Sequence, residues 1–277
     1  IMAEIIDGKA IAKQIKQEIY QEIKTKKLTP NLAVVLVGDD PASKLYVNLK
    51  KKACEEVGIE FHEYLLEENS PQEEVLEVIN FLNKDESVDA ILIQLPLPKH
   101  LDTDQVIQTM KPEKDVDGFH PQNINNFINQ KSNFVPGLPL GIIKLIESTK
   151  EDLKDKQALI LAKNKILYQP LAKLLNDRQV KTTILTPDDK ELKNKCLQAD
   201  ILITAVGRPF FITADMVKED SIIVDVGTNK IDNNYIVGDV DYSAVFSKAG
   251  FITPVPGGVG PVTVAMLLYN TLKLANK

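Results

Sequence analysis

The chain has no tryptophan, only two cysteines and only three histidines in 277 residues. Cys54 and Cys196 stand far apart and lack metal-type spacing, so no disulfide framework is expected and a reducing cytoplasm is the natural compartment. His62, His100 and His120 form no ligand pattern, so no metal site is expected. No apolar run approaches about eighteen residues, and no charged-then-apolar leader is visible, so neither a membrane span nor a secretory signal is expected. Excess charge is also small. With 33 Lys and Arg against 39 Asp and Glu, the net charge is -6 and the signs are mixed along the chain, which argues against a nucleic-acid surface. What remains is a globular composition, 44% hydrophobic and 26% charged, in a chain long enough for two domains.

The order of apolar runs and turns predicts an α/β fold. Asp7 suits the N-cap of a helix with a stripe of Ile11, Ile15, Ile19 and Ile23. Leu32 to Val37 is apolar throughout, as a strand buried on both faces requires. A helix follows, with Asp40 as cap, Pro41 in the first turn and Gly58 at the stop. Phe61 to Leu66 reads as a strand, and Ser70-Pro71-Gln72-Glu73 as a capping box opening a helix through Leu82. Ala90 to Gln94 reads as another strand. After a helix over 139–149 and the charged run Lys150 to Lys156, the rhythm restarts. Strands are predicted at 158–161, 182–185, 201–206 and 221–226, and the chain closes with a helix over 264–274.

In such sheets ligands sit beyond the carboxyl ends of the strands, and polar residues gather there. Tyr46 and Lys50, four apart on one helix face, could serve as an acid/base pair; a solvated lysine beside a half-buried tyrosine has the same spacing. Gln94 closes a strand ahead of Leu95-Pro96-Leu97-Pro98, as a ligand or as an edge cap. Asp117, in Lys114-Asp115-Val116-Asp117-Gly118, suits a binding carboxylate or an Asx turn. In the second half, the turn after the first strand has no glycine from Ala162 to Pro170, although close approach to a pyrophosphate usually needs one. Asp188, after the second strand, can accept from a ribose 2′-hydroxyl and would repel a 2′-phosphate, which favours NAD, with Lys163 a partial offset. Thr253 to Thr263 holds three glycines and three prolines in eleven residues, suiting either a flat ligand laid on backbone or a rigid hinge.

Several stretches, in this order, resemble the methylenetetrahydrofolate dehydrogenase/methenyltetrahydrofolate cyclohydrolase family: D-D-P-A-S-K-L-Y-V-N-L-K-K-K-A, I-L-I-Q-L-P-L-P, P-E-K-D-V-D-G-F-H, D-V-G-T-N, G-D-V-D and T-P-V-P-G-G-V-G-P-V-T. The resemblance covers essentially the whole chain. It implies an N-terminal α/β folate and catalytic domain over 1–139, with a C-terminal helix over 264–277 packing back on it, and a Rossmann-like NAD(P)-binding domain over 140–263. It also implies a homodimer, tetrahydrofolate as the one-carbon substrate, and NADP or NAD as cofactor.

By the same resemblance Lys50 is the central catalytic group, Tyr46 orients it and the substrate, Gln94 hydrogen-bonds it, and Asp117 grips the pterin; Leu95, Pro256 and Gly257 join the substrate site. Ala162, Lys163, Asn164, Asp188, Val206, Gly207, Gly227, Thr228 and Thr263 fall at cofactor positions. Departures from the family pattern cluster there. Ala162-Lys163-Asn164 replaces G-R-S, Leu167-Tyr168-Gln169-Pro170 replaces V-G-K-P, Thr186-Pro187-Asp188-Asp189 replaces H-S-R-T, and Pro136-Gly137-Leu138-Pro139 replaces P-C-T-P. Three functions are therefore compatible with the residues: the bifunctional enzyme, a cyclohydrolase with weakened dehydrogenase activity, and a non-catalytic folate-binding paralogue.

Overall fold

In the computed structural model, which describes residues 2–132, 134–231 and 235–276, the chain opens with strand β1 (Glu4–Ile5) and helix α1 (Gly8–Lys26). The Asp7 carboxylate accepts the N–H groups of Lys9 (2.9 Å) and Ala10 (3.1 Å), capping α1 as its position suggests. Of the isoleucine stripe, Ile15, Ile19 and Ile23 are buried and Ile11 is partly so. Then follow β2 (Asn31–Val37), α2 (Pro41–Val57), β3 (Glu60–Leu66), α3 (Gln72–Lys84), β4 (Ala90–Ile93), α4 (Thr103–Thr109), α5 (Pro121–Ile128) and α6 (Gly137–Glu147). The second half comprises β5 (Gln157–Ala162), α7 (Lys165–Asp177), β6 (Lys181–Leu185), α8 (Leu192–Gln198), β7 (Ile201–Ala205), β8 (Ile222–Asp225), β9 (Asn229–Lys230), β10 (Ile236–Val237), α9 (Tyr242–Val245), β11 (Phe251–Ile252) and α10 (Val259–Ala275). Among the described residues no helix is long and apolar enough to cross a membrane.

The chain divides into two units: Lys13–Gly137 with the stretch from Val264 onward, and Leu138–Thr263 with the stretch ending at Ala12. In the first unit β2 pairs in parallel with β3 on one side and β4 on the other, which is why all seven of its residues are buried. Val75, Ile79 and Leu82 of α3, all fully buried, pack with Val35, Ile91 and Ile93. Each such side chain contributes roughly 1.5–3 kcal/mol. Asn270 of α10 belongs to this unit and donates Nδ2 to the carbonyls of Val116 (3.0 Å) and Val135 (3.2 Å).

The second unit carries a sheet in the order β1-β11-β8-β7-β5-β6, every neighbouring pair parallel. Both sheets therefore contain a reversal of strand order, between β2 and β4 in one and between β5 and β7 in the other. Crevices at the carboxyl ends of such reversals are where α/β sheets bind ligands.

Three expectations change. The first residues of the chain, read as part of the N-terminal domain, lie in the other unit, because β1 extends its sheet through Glu4↔Phe251 and Ile5↔Ile252. The capping box at Ser70 does not form: α3 begins at Gln72, no side chain caps it, and the Ser70 N–H is taken by the Glu67 carbonyl. The closing helix starts five residues early, at Val259, so the end of the Gly/Pro-rich stretch is helical. Pro261 tolerates this because the first N–H groups of a helix have no intrahelical partner to lose.

At the end of β8 the Asp225 carboxylate accepts the N–H groups of Gly227 (2.9 Å), Asp239 (3.0 Å) and Val240 (2.9 Å). A Cβ on Gly238 would lie 1.8 Å from Asp225 Oδ2. Gly238→Ala is therefore expected to destabilise this unit by about 1–3 kcal/mol, as overpacking does. A thermal melt followed by circular dichroism checks it; a midpoint equal to that of the wild type would contradict it.

Candidate active site

Helix α2 is set at both ends. Asp40 Oδ2 accepts the Ser43 N–H at 2.7 Å, Pro41 occupies the first turn, and Gly58, at φ 83°, closes the helix with its N–H on the Cys54 carbonyl. This places Tyr46 and Lys50 one turn apart on one face of the helix, with the buried Cys54 a further turn along it. Lys50 Nζ donates to Gln94 Oε1 at 2.7 Å. Gln94, the first residue beyond β4 and only 6% exposed, is itself held: its Nε2 donates to the Leu95 carbonyl (2.7 Å) and its backbone N–H to Val35 (2.9 Å). The Leu95–Pro96 peptide is cis. An amide oxygen thus receives the lysine without bringing a charge.

Burial holds the Lys50 pKa below the usual lysine range, with the charge of Asp117 pulling it back up. Burial pushes the Asp117 carboxyl up to about 6, against the lowering influence of Lys50 and with a further push from Asp115. Cys54, one turn after Lys50 and fully buried, has its thiol pushed up to about 12, so it stays neutral. Tyr46 is 40% exposed and its hydroxyl has no hydrogen-bond partner among the described residues.

The loop that carries Asp117 is organised by a residue the motif reading passed over. Asp115 is completely buried and accepts from Gly118 N (3.1 Å), Phe119 N (3.3 Å), His120 N (2.8 Å) and Asn123 Nδ2 (2.9 Å). Lys114 braces the same loop by donating to the Leu82 (2.8 Å) and Asp85 (2.6 Å) carbonyls at the end of α3. Gly118 has φ 76°, and a Cβ there would come within 2.8 Å of Pro136 Cα, so glycine is required.

The remaining predicted residues lie in the other unit. Pro256, exposed, and Gly257, buried at φ 117°, form the turn before α10 and follow a cis Val255–Pro256 bond. Thr263 donates its hydroxyl to the Val259 carbonyl, and Thr228 is exposed. At the β5/β7 reversal, β5 ends at the buried Ala162, Lys163 is exposed, and Asn164 caps α7 by accepting the Ile166 N–H at 2.9 Å. The glycine-free turn still delivers a helix N-terminus, because asparagine caps as well as glycine would.

Beyond β7, the fully buried Asp239 accepts three consecutive N–H groups, of Val206 (2.7 Å), Gly207 (3.3 Å) and Arg208 (3.0 Å), together with Asn229 Nδ2 (2.9 Å). Gly227 packs against that carboxylate so closely that a Cβ would meet it at 2.4 Å. Asp188 is paired with Arg208 (Nη2 to Oδ1, 3.1 Å), so its charge is not left to repel a phosphate and the electrostatic case for NAD over NADP is weakened. The residues present fit a dinucleotide. The first turn of α7 has no acidic residue, Lys163 and Lys165 flank it, and a Cβ on Gly207 would meet nothing within 4 Å, leaving room at the crevice.

Residues 6–117 match the family model described as tetrahydrofolate dehydrogenase/cyclohydrolase, catalytic domain, and residues 136–277 match its NAD(P)-binding domain. The chain is 44% identical over 276 residues to the bifunctional protein FolD of Acetivibrio thermocellus, covering 99% of this chain and 97% of that one. The crystal structure of the bifunctional enzyme FolD, methylenetetrahydrofolate dehydrogenase/cyclohydrolase, from Campylobacter jejuni superposes with a TM-score of 0.94 at 45% identity, covering 99% of each chain. That of Trypanosoma brucei methylenetetrahydrofolate dehydrogenase-cyclohydrolase, complexed with NADP and an inhibitor, also gives 0.94, at 32% identity over 100% of this chain and 98% of that one.

Proposed function

The chain belongs to the tetrahydrofolate dehydrogenase/cyclohydrolase family, and on that premise we propose that it oxidises methylenetetrahydrofolate to methenyltetrahydrofolate with NAD or NADP and hydrolyses the product to formyltetrahydrofolate. The observation that carries this reading is Lys50, desolvated and held by the neutral Gln94 amide with the Asp117 carboxylate close by.

A bound dinucleotide would supply the hydride acceptor; Lys163, Asn164 and the N-terminus of α7 would hold its phosphates, and Ala162, Val206, Gly207, Gly227, Thr228, Thr263 and Asp188 would complete its site. In the folate site Asp117 accepts hydrogen bonds from the pterin's amino and ring N–H groups, a two-oxygen acceptor for a guanidine-like edge. Tyr46 and Leu95 confine the substrate. A methenyl group carries positive charge, which disfavours a neighbouring ammonium and leaves Lys50 a neutral amine. That amine takes a proton from the attacking water; as the carbonyl forms, the bond from the carbon to one of its two nitrogens breaks, that nitrogen keeps one of the water's protons, the other passes to solvent, and the carbon stays on the second nitrogen as the formyl group. Gln94 keeps the amine aimed without quenching it by a charge.

Supplying methylenetetrahydrofolate with either dinucleotide should give reduced dinucleotide and formyltetrahydrofolate in equal amounts. The glycine-free turn from Ala162 to Pro170 is the observation behind a narrower reading, hydrolysis without dehydrogenation. Formyl product from methenyltetrahydrofolate, with no dinucleotide reduced at any concentration, would select it.

The Asp117 pKa of about 6 has a consequence for binding. The ionised carboxylate is the form that accepts from the pterin, so folate affinity should be full well above pH 6 and fall as pH drops through it. Calorimetric titration of a folate ligand across this range checks the point; Asp117→Asn should flatten the profile, and an unchanged profile would contradict the assignment.

The protein is further proposed to act as a cytoplasmic homodimer. Among the described residues β3 has no partner on its outer edge, where Leu65 is 65% exposed, and Leu45 and Leu49 of α2 are exposed as well. An open apolar edge of this kind is suited to pairing with a second copy. Sedimentation velocity should report twice the 30.8 kDa chain mass. Two free, buried cysteines suit a reducing compartment.

A further inference from the structure

Asp188 follows β6 and Arg208 follows β7, and β5 lies between these two strands in the sheet. Their side chains nonetheless meet, so the ion pair bridges over the carboxyl end of β5, the strand that leads into the N-terminus of α7. It therefore stands at the crevice where the strand order reverses. The two partners are unequally fixed. Arg208 is anchored at its backbone, whose N–H is held by the buried Asp239, and its guanidinium lies 5.3 Å from the centre of the Phe211 ring. Asp188 has no such anchor for its side chain, which is 71% exposed.

A pair exposed to this degree is weak, so a ligand anion can replace the carboxylate on the arginine. The planar fork of a guanidinium accepts phosphate as readily as carboxylate, and a phosphate carries more charge. A hydroxyl cannot displace Asp188, but it can donate to it while Asp188 keeps Arg208. Nothing in the loop has to refold in either case, since Asp239 holds Val206 to Arg208 through their backbone.

We propose that the Asp188–Arg208 pair sets the dinucleotide specificity of this chain, with Arg208 taking an adenosine 2′-phosphate and Asp188 taking an unsubstituted 2′-hydroxyl, so that both NADP and NAD bind. The proposal rests on the reading that this unit holds a dinucleotide. It also assigns a role to Arg208, which no sequence feature singled out, and turns Asp188 from a simple barrier to NADP into one half of a two-way selector.

The test is equilibrium binding of NADP and of NAD, by calorimetry, to the wild type, Arg208→Gln and Asp188→Asn. Both side chains are on the surface, and circular dichroism verifies that the variants fold. Arg208→Gln should weaken NADP binding by about tenfold or more, the worth of a charge-assisted hydrogen bond, and leave NAD within about threefold. Asp188→Asn should tighten NADP and weaken NAD, moving the ratio of the two dissociation constants the opposite way. A ratio that is the same in all three proteins, whether the wild type binds both dinucleotides or keeps to one, overturns the pair's role and leaves the two-step activity standing. A wild type that binds neither dinucleotide overturns this proposal together with the dehydrogenase half of the function, and hydrolysis of methenyltetrahydrofolate then reports separately on the other half.

Discussion

Lys50→Met is expected to depress kcat of the hydrolysis by about 10²–10⁴-fold, the range spanned by loss of a positioned acid or base. Methionine keeps the length and apolar stem of lysine, so the half-buried site beside Gln94 stays filled and α2 keeps its packing. What disappears is the amine, and with it the donor to Gln94 Oε1 and the acceptor for the proton of the attacking water. Folate affinity, which rests on Asp117 in this account, should change by only a few-fold. Rates of each reaction with one purified preparation, together with a folate titration, check the expectation. Hydrolysis persisting at near wild-type kcat would remove Lys50 from that step.

Asp117→Ala should produce the converse pattern. Losing hydrogen bonds to a charged acceptor costs about 1.5–3 kcal/mol, or roughly 10- to 150-fold in kcat/KM. The loss should appear as a raised KM for folate, with kcat at saturation largely kept. A second effect has a definite sign. The Asp117 charge raises the Lys50 pKa, so its removal should let that pKa fall further and extend activity towards lower pH. A drop confined to kcat, with KM unchanged, would show that Asp117 acts on the reaction rather than on the pterin.

The parts of this site that could be read from the chain are those whose causes are local. The caps of α2, Asp40 and Gly58, sit beside the helix they end, and the face shared by Tyr46 and Lys50 follows from helical spacing. The all-apolar run of β2 announced a strand flanked on both sides. Features that depend on distant partners stayed hidden. Asp115 and Asp239 look like ordinary turn aspartates in D-V-D and G-D-V-D, yet each is a buried hub for backbone N–H groups, Asp239 for residues some thirty positions earlier. Arg208 meets Asp188 twenty residues away across an intervening strand. Lys50 and Gln94 are 44 residues apart and could be joined beforehand only through the family resemblance. Composition also misled in two places: the Gly/Pro content of Thr253 to Thr263 concealed the first turn of α10, and Ser70 sat one residue too far from α3 to cap it.

The central claim is that one lysine-centred folate site performs both reactions. It is tested most directly by titrating a single unreactive folate analogue against the dehydrogenase and cyclohydrolase activities of the same wild-type preparation. One inhibition constant common to both activities is expected. Two clearly different constants, or one activity that persists when the other is fully inhibited, would contradict the account.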